Sequence, residues 1–389
     1  MRVAFHAPLK PPDHPVPSGD RAMARALLGL LAGIGHEVVP TGRFRSFDRD
    51  GDARRQERLL ALGERLAVRL LRRIEAGLLP RPELWLTYHC HHKAPDLLGP
   101  PVATALDLPY VVVEGSISAR QAQGPWAVGH AASLAALRRA DLVLAVTGRD
   151  RLGLIEGGLL EAAVLLFPPF LDAAPLRAAA AERPAHRAGL AATLELDPGL
   201  PWLLAVAMMR ADVKQRSYEV LARALGRLAD RPWALLVVGD GPARPAVEAA
   251  LRAAAGDRLR LLGALAPEAL ASVYAAADLL VWPAVGEAYG MALLEAQAAG
   301  VPVVAGAEGG VAEVVAHGIG GLLVPPRAPE AFAGAIAALL DEPARRRALG
   351  AGAAERVRTR HDRPVAAARL AEALGTAAAR HALRARGAP

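Results

Sequence analysis

The stretch that decides the fold has the sequence GEAYGMALLEA at residues 286–296 and is followed by GVPVVA at residues 300–305. It comes directly after the apolar run Leu279 to Trp282, which predicts a buried strand. Glu287 then lies in the loop at the carboxyl end of that strand, and Glu295 lies about one and a half turns into the next helix. Because both carboxylates follow one strand, we expect them to reach the same crevice at the edge of a sheet.

The start of that helix has the chemistry of a phosphate and sugar site. Gly290 lets the helix begin close to a ligand, so that the free backbone N–H groups of residues 290–292 face the crevice. These amides suit diphosphate oxygens, whereas the two glutamates suit sugar hydroxyls. Two surface glutamates with accidental spacing are the alternative interpretation.

Outward from this stretch, short apolar runs alternate with longer helical patterns along both halves of the chain. This alternation is typical of parallel sheets built from strand-helix-strand units, so the predicted fold class is α/β with two Rossmann-like halves. The predicted strands are Arg2–His6, Glu37–Pro40, Leu84–His89, Tyr110–Glu114, Leu142–Val146 and Ala163–Phe167, then Trp202–Met208, Ala234–Val238, Leu259–Leu262, Leu279–Trp282, Val301–Ala305 and Gly321–Val324.

The boundary between the halves is marked by Phe167-Pro168-Pro169-Phe170, where two prolines without N–H donors end a strand. Residues 343 onward carry only helical patterns of Ala, Leu and Arg. We therefore predict an N-terminal Rossmann-like domain at residues 1–170, a linker region at 171–199, a C-terminal Rossmann-like domain at 200–365 and a helical tail at 366–389.

The Glu-x7-Glu spacing, with its glycines and apolar surroundings, resembles that of the retaining glycosyltransferases of family 4, whose fold is called GT-B. Gly239-Asp240-Gly241-Pro242 is similar to that family's Gly-x-Gly-Pro turn, and Gly309-Gly310 with Glu313 and residues 318–322 matches its downstream pattern. The resemblance extends over most of the second half. It implies two Rossmann-like domains with parallel sheets that face a central cleft.

The same resemblance implies roles for individual residues. Glu287 lies by the donor sugar, and Glu295 binds the ribose hydroxyls of a nucleotide-diphosphate sugar. The residues with an implied donor-binding role are Gly19, Gly241, Tyr289, Gly290, Met291 and Glu295. The acceptor, a compound with a hydroxyl group, is bound by the first domain.

Two cations, Arg210 and Lys214, follow the first strand of the second half, where a nucleotide-binding sheet places its ligand loop. Two positive charges there suit a diphosphate. The resemblance implies that they neutralise the leaving diphosphate, so that they are catalytic together with Glu287. Surface charge alone is the alternative.

The first half follows the family pattern less closely. Pro17-Ser18-Gly19-Asp20 stands between the first strand and the helix that follows, where many family members have two glycines, so the implied phosphate contact is confined to Gly19. The histidine that often stands near the end of a middle strand is replaced by other residues here. His89 and Glu114, which end neighbouring predicted strands, and His130 are the acceptor-side candidates, with an ordinary polar contact as the alternative for each histidine.

We predict neither a metal site nor a cofactor. Adjacent residues of the run His89-Cys90-His91-His92 alternate faces on a strand and cannot all bind one ion. The Asp-x-Asp pattern in residues 48–52 lies in an arginine-rich loop, and its glycine stands too early for the glycine of a calcium loop, so we expect a solvated turn. The single cysteine excludes an internal disulfide and favours a reducing compartment.

The net charge of +7 makes an anionic partner plausible, but nucleic-acid binding rests on charge alone and is not predicted. Ala53 to Gly77 forms an amphipathic pattern in which seven arginines share an arc of about 100° beside a row of leucines. This pattern indicates either a surface helix that packs its leucines on the core or a peripheral contact with anionic lipid headgroups. With no signal-peptide pattern and no run of about 18 apolar residues, we expect a cytoplasmic protein, at most peripheral at the inner face of the plasma membrane.

These observations predict a metal-independent, retaining transferase of the hexosyltransferase type in bacterial cell-envelope glycan or glycolipid synthesis, with a nucleotide-diphosphate sugar as donor. A non-catalytic nucleotide-sugar binding protein and a nucleotide-sugar 2-epimerase on the same fold are the alternatives. The four charged residues of the second half argue against a binder, the unusual loop of the first half argues for it, and an epimerase needs further acid and base groups. A dehydrogenase is disfavoured, because neither half has Gly-x-Gly-x-x-Gly after its first strand.

Overall fold

The computed structural model describes residues 1–16 and 18–386, so that Pro17 of the first-half loop and residues 387–389 of the predicted tail lie outside the described part. The chain divides into two units. The first comprises residues 1–168 together with 366–389, and the second comprises residues 169–365.

Each unit contains one six-stranded parallel sheet, which confirms the predicted α/β class with two Rossmann-like halves. The order is β2-β1-β3-β4-β5-β6 in the first sheet and β12-β11-β10-β7-β8-β9 in the second. The strands are β1 Arg2–His6, β2 Glu37–Pro40, β3 Leu84–Cys90, β4 Tyr110–Gly115, β5 Leu142–Ala145, β6 Val164–Leu166, β7 Trp202–Val206, β8 Ala234–Val238, β9 Leu259–Gly263, β10 Leu279–Trp282, β11 Val303–Gly306 and β12 Gly321–Val324.

Helices connect the strands of each sheet. They are α1 Gly19–Gly33, α2 Ala53–Glu75, α3 Gly99–Ala105, α4 Ala127–Arg139, α5 Gly148–Glu156, α6 Ala174–Ala181, α7 Arg183–Leu194, α8 Val213–Leu225, α9 Arg244–Ala255, α10 Pro267–Ala276, α11 Met291–Ala298, α12 Val311–Val314, α13 Pro329–Asp341, α14 Pro343–Arg360 and α15 Arg363–Ala385.

The strand order determines where a ligand site can form. In each sheet the order reverses direction once, between β1 and β3 in the first sheet and between β10 and β7 in the second. At such a reversal the loops that leave two neighbouring strands run to opposite faces and open a crevice at the carboxyl edge. A ligand site is therefore expected at the loops after β7 and β10 in the second sheet and after β1 and β3 in the first.

The central strands are apolar along their whole length because helices cover both faces of each sheet. Leu279, Leu280 and Val281 of β10 and Val303 and Val304 of β11 are fully buried. Burial on both faces explains why these strands appear in the sequence as continuous apolar runs instead of alternating patterns.

Helices α6 and α7, in the predicted linker region, pack within the second unit. The guanidinium groups of Arg183 and Arg187 lie 2.7 and 2.9 Å from the two carboxylate oxygens of Asp278. Asp278 also accepts a hydrogen bond of 2.8 Å from the backbone N–H of Trp202. One carboxylate thereby joins α7 to the starts of β7 and β10.

The arginine-rich helix α2 begins at its N-cap Asp52, whose side chain accepts a hydrogen bond from the backbone N–H of Arg55. Leu70 and Ile74 are buried in the core of the first unit, and Leu66 and Leu71 pack against it. The seven arginines of the predicted arc are all exposed: Arg54, Arg55, Arg58, Arg65, Arg69, Arg72 and Arg73. The leucine face thus packs on the core, while the arginine face stays in solvent.

Throughout the described residues, helices that combine the length and the apolar character of a membrane span are absent.

Candidate active site

The loop after β10 turns Glu287 toward the start of α8. Gly286 adopts a left-handed conformation with φ of 62°, and the backbone N–H of Val285 donates a 3.0 Å hydrogen bond to the Ser217 hydroxyl of α8. The carboxylate of Glu287 forms an ion pair with the ammonium group of Lys214. It also accepts a 3.2 Å hydrogen bond from the indole N–H of Trp282, the last residue of β10.

Lys214, Glu287 and Trp282 form one partly buried group, called here the Lys–Glu–Trp cluster. Lys214 and Glu287 are each 14% exposed, and the Lys214 ammonium lies 5.5 Å from the centre of the Trp282 indole ring. A cation over an indole face is stabilised by the ring quadrupole. The cluster therefore holds a positive and a negative charge in fixed positions at the carboxyl edge of the second sheet.

The loop after β7 is fixed by the turn that follows β8. Met209 donates a 2.9 Å backbone hydrogen bond to Asp240 and accepts one of 2.8 Å from Ala243. Gly241 adopts φ of +152°, and a Cβ atom there would lie 2.4 Å from the carbonyl oxygen of Met209. Glycine at position 241 is thus required by the close approach of the loop that carries Arg210.

Arg210 and Lys214 differ in their surroundings, although both follow β7. Arg210 is 49% exposed and pairs with Asp212 at 3.0 Å. Asp212 is the N-cap of α8, and its side chain accepts a 2.9 Å hydrogen bond from the backbone N–H of Lys214. Lys214 is consequently held in the cluster, whereas Arg210 keeps most of its freedom to meet a ligand.

Helix α11 begins at Met291, after Gly290 with φ of 78°. The backbone N–H groups of its first turn lack partners within the helix, as at every helix start. Glu295 accepts a 2.8 Å hydrogen bond from the Tyr274 hydroxyl. Burial raises the pKa of the Glu295 carboxyl, against the lowering effect of that hydrogen bond.

Gly309 and Gly310, in the loop between β11 and α12, contact the backbone of Glu287 and Ala288. The backbone N–H of Gly310 donates a 2.6 Å hydrogen bond to the carbonyl of Ala288. Gly309 has φ of +61°, and a Cβ atom there would lie 2.0 Å from the carbonyl oxygen of Glu287. This contact gives a physical reason for the Gly309-Gly310 pair that the sequence pattern singled out.

The remaining donor-side residues are placed less specifically. Tyr289 and Met291 are partly buried and pack against the core of the second unit. Gly19 is the first residue of α1, and a Cβ atom there would meet none of the described atoms within 4 Å. The packing of the protein therefore leaves open space beside Gly19 without itself requiring glycine.

At the carboxyl edge of the first sheet, His89 and Glu114 end the neighbouring strands β3 and β4. They lie between the paired positions Tyr88–Val113 and Cys90–Gly115. Both adopt the left-handed conformation, with φ of 65° and 61°, which is uncommon for residues other than glycine. Such strain persists only where the surrounding structure enforces it, and it is often found at functional sites.

Asp20 in the first turn of α1 completes this group. The Nδ1 atom of His89 lies 3.3 Å from a carboxylate oxygen of Asp20 and 3.9 Å from one of Glu114. Asp20, His89 and Glu114 are called here the His–carboxylate cluster. Asp20 could not be identified from the sequence, because its place in the cluster depends on a contact between residues 69 positions apart.

The charges of this cluster shift one another. Burial lowers the pKa of the His89 imidazole, but the carboxylates of Glu114 and Asp20 outweigh it, so that the pKa is raised overall. The hydrogen bond with His89 lowers the pKa of Asp20. Burial raises the pKa of Glu114, against the lowering effect of His89. The cluster therefore favours a protonated imidazole beside at least one carboxylate.

His130, the third acceptor-side candidate, lies apart from the other two. It is buried on α4, and within the described part of the chain no hydrogen bond, ion pair or ring contact joins it to His89 or Glu114. His130 acts electrostatically on His92 instead: the pKa of His92 is lowered by burial, by Lys93 and by His130. The structure thus brings together His89 and Glu114 but not His130.

The loop at residues 48–52 was expected to be a solvated turn, and for Asp48 this expectation is wrong. Asp48 is buried and accepts hydrogen bonds of 3.0 Å from the Gly51 N–H and 2.9 Å from the Gln56 amide. Its carboxylate satisfies these donors at the start of α2. In the described residues, no group of three or more His, Cys, Asp or Glu side chains is arranged to hold a metal ion.

Comparison with known proteins agrees with the geometry of the second unit. Residues 201–342 match the family model described as "Glycosyl transferases group 1". The D-inositol 3-phosphate glycosyltransferase of Thermobispora bispora is 38% identical over 202 residues, which cover 49% of this chain and 46% of that protein. The enzyme of the same name from Kineococcus radiotolerans is 36% identical over 239 residues, 56% of this chain and 53% of its own length. The chain spans about half the length of these curated relatives.

Solved structures resemble nearly the whole chain. A glycosyltransferase from Rickettsia africae has a TM-score of 0.74 over 97% of this chain and 98% of its own, at 16% identity. The Anabaena protein HepE in complex with UDP-glucose has a TM-score of 0.70 over 97% of this chain and all of its own, at 17% identity. At these identities the similarity shows the fold alone.

Two parallel α/β sheets together with these structures define the GT-B class of fold, as predicted. Residues 201–342 match the group 1 glycosyltransferases, and this match confirms the resemblance to family 4 that was stated from the spacing of Glu287 and Glu295.

Proposed function

We propose that this protein is a retaining glycosyltransferase that moves a sugar from a nucleotide-diphosphate donor to an acceptor hydroxyl. The observation that carries the proposal is the Lys–Glu–Trp cluster, in which Lys214 and Glu287 meet at the reversal of strand order in the second sheet. That edge is the usual ligand site of a doubly wound sheet. The group 1 match spans the same residues.

The donor diphosphate is proposed to bind Lys214, Arg210 and the backbone N–H groups at the start of α11. Two cations and a helix N-terminus stabilise the negative charge that develops as the diphosphate leaves. This arrangement needs no bound metal ion. Because Arg210 is largely exposed, it retains the freedom to close on the diphosphate after binding.

The two glutamates are proposed to bind hydroxyl groups. Glu287, fixed by Lys214 and Trp282, lies by the donor sugar, and Glu295, fixed by Tyr274, accepts hydrogen bonds from the ribose. Hydrogen bonds to an ionised carboxylate are about twice as strong as neutral ones. In this proposal Gly241 and Gly290 let backbone approach the donor, Tyr289 and Met291 flank it, and Gly19 leaves room for a phosphate oxygen.

The test is to incubate the purified protein with UDP-, GDP-, ADP- and dTDP-sugars and a panel of hydroxyl acceptors, and to follow nucleotide release. UDP-glucose is the first donor to try, because the similar protein HepE binds it. For a productive pair, the one-bond and three-bond couplings of the new anomeric proton report the stereochemistry. We expect the anomeric configuration of the donor to be kept; an inverted product would contradict the retaining mechanism, and a change of sugar configuration without transfer would indicate an epimerase.

The exposed arginines of α2 are proposed to hold the enzyme at anionic lipid on the inner face of the plasma membrane, so that a lipid-linked acceptor is within reach. Each arginine near an anionic surface contributes about 1 kcal/mol to binding. We expect cosedimentation with liposomes containing anionic lipid to be lost when Arg65, Arg69 and Arg72 are changed to Glu. Changing Arg345, Arg347 and Arg358 of α14 to Glu alters the net charge equally and serves as the control. Unchanged cosedimentation of the α2 variant would contradict the proposal.

A further inference from the structure

The His–carboxylate cluster of the first unit carries more negative than positive groups. Asp150, in the first turn of α5, acts electrostatically on both His89 and Glu114, in addition to the carboxylate of Asp20. Lys10, a cation from the loop after β1, acts electrostatically on Asp20. Three carboxylates, two at helix starts and one at a strand end, thus act on the His89 imidazole.

Asp20 places a carboxylate of the chain beside His89 at the start of α1. The start of α1 is capped by Ser18, whose hydroxyl accepts a 3.2 Å hydrogen bond from the backbone N–H of Arg21. Asp20 adds a carboxylate in the same first turn, and that carboxylate is paired with His89. On the side that faces His89, the Asp20 carboxylate therefore partly offsets the positive end of the helix dipole.

The cluster also offers hydrogen-bonding groups suited to hydroxyls. The Nδ1 atom of His91 is buried and has no hydrogen-bond partner among the described residues, and its ring centre lies 4.7 Å from that of His89. Burial keeps the pKa of His91 well below its usual value, so this ring is neutral and has one donor and one acceptor nitrogen. Together with the carboxylate of Glu114, it provides both donors and acceptors beside the charged pair.

We propose that the His–carboxylate cluster is the acceptor subsite and that it selects a neutral polyol or an amino sugar over a phosphorylated acceptor. The proposal rests on the proposed glycosyltransferase function and specifies its acceptor class. Hydroxyls bind the carboxylates and the imidazoles, an ammonium group gains from the excess of carboxylates, and a phosphate is repelled by them. The similar proteins from Thermobispora and Kineococcus are named for an inositol phosphate, so the acceptor class separates this chain from them.

The test measures acceptor binding directly, without turnover. Saturation-transfer NMR titrations compare myo-inositol with myo-inositol 1-phosphate, and glucosamine with glucosamine 6-phosphate. We expect the unphosphorylated member of at least one pair to bind at least about tenfold more tightly, because charges near partly buried carboxylates are poorly screened by salt. Asp20→Asn is expected to reduce, several-fold, the ratio of the dissociation constants of the phosphorylated and unphosphorylated compounds. Asp13→Asn, which removes an exposed carboxylate paired with Arg43 in the same unit, is expected to leave it unchanged.

A tighter complex with the phosphate ester, the absence of binding by either unphosphorylated probe, or a ratio that Asp20→Asn does not alter would overturn the proposal. Glu114→Gln is a second variant that leaves the backbone unchanged. The ratio of the two dissociation constants is expected to fall in this variant as well. Titration of the same samples with UDP, GDP, ADP and dTDP tests donor binding separately. If the ratio of dissociation constants disappears while UDP, GDP, ADP or dTDP still binds, this inference is refuted, whereas the absence of binding by all four nucleotides in the wild-type protein refutes the proposed function.

Discussion

Both sheets reverse their strand order once, but the carboxyl edges of the two sheets carry different charged groups. At the second edge the carboxylate of Glu287 is neutralised by Lys214 and hydrogen-bonded to Trp282, and the exposed Arg210 pairs with Asp212 nearby. At the first edge the carboxylates of Asp20 and Glu114 share one imidazole, His89. The position of a site is thus fixed by strand order, whereas its ligand is selected by the charges that the loops supply.

The largest expected effect comes from neutralising Glu287. Glu287→Gln leaves the Lys214 ammonium without its counter-charge and removes the acceptor for donor-sugar hydroxyls. We expect the transfer rate to fall by about 10²–10³-fold, as for other fixed polar groups at a reacting centre. Steady-state nucleotide release measures it. Glu268→Gln, on the exposed start of α10, is the matched control, and a similar loss in both variants would remove the Lys–Glu–Trp cluster from the mechanism.

The next largest effect is expected at Gly309, which lies against the backbone carbonyl of Glu287. Gly309→Ala places a Cβ atom where the Glu287 carbonyl now lies and imposes a left-handed conformation on alanine. We expect a loss of about 1–3 kcal/mol in the free energy of unfolding, together with weaker transfer activity. Gly318→Ala has the same left-handed strain, with φ of +77°, but no atom within 4 Å, so it isolates the cost of strain. Equal losses in the two variants would show that the close contact does not matter.

A smaller effect concerns the pH dependence of donor binding. The pKa of Glu295 is raised from its usual 4.5, so that its carboxylate, the form that accepts ribose hydroxyls, is lost on acidification already above that pH. Donor affinity should therefore rise with pH through this pKa. Tyr274→Phe removes the hydrogen bond that lowers the pKa and should move the midpoint upward. Titration calorimetry over a pH series measures it, and a midpoint unchanged in Tyr274→Phe would contradict this assignment.

The smallest effect is a shift in one titration curve of the first edge. The pKa of His89 is raised because the carboxylates of Glu114 and Asp20 outweigh burial, so Asp20→Asn should lower it. The His89 ring protons can be followed by NMR as a function of pH. His92, whose pKa depends on burial, Lys93 and His130, is the internal reference and should not move. An unchanged His89 curve would mean that the two side chains are not coupled in solution.

The strands of both sheets could be predicted from the sequence, but site residues were predicted better at the edge of the second sheet than at the edge of the first. Every predicted strand is present, with ends that differ by no more than two residues, because strands buried on both faces appear as apolar runs. Glu287 and Glu295 were placed correctly relative to β10 and α11, since their positions follow from local spacing. Their partners Trp282 and Tyr274 were missed, because hydrogen-bond partners depend on tertiary packing and no local pattern marks them.

The residues of the His–carboxylate cluster were less predictable for a physical reason. His89 and Glu114 were identified as strand ends, but their left-handed backbones follow no local sequence pattern, and the contact of His89 with Asp20 requires the start of α1 to come close to the end of β3. His130 was placed with them by proximity in sequence, which does not determine which way a helix presents its side chains. The burial of Asp48 was missed in the same way, since a polar loop segment gives no signal for a carboxylate that is buried against the Gly51 N–H and the Gln56 side chain.

The central claim, that the second unit binds a nucleotide-diphosphate sugar through Glu295 and the Lys–Glu–Trp cluster, is tested most directly by a thermal-shift screen against UDP-, GDP-, ADP- and dTDP-sugars. A ligand at 100 times its Kd adds about 2.7 kcal/mol to the free energy of unfolding. We predict stabilisation by one donor that is lost in Glu295→Ala and kept in Glu268→Ala. Stabilisation that persists in Glu295→Ala, or no stabilisation by any donor in the panel, would contradict the account.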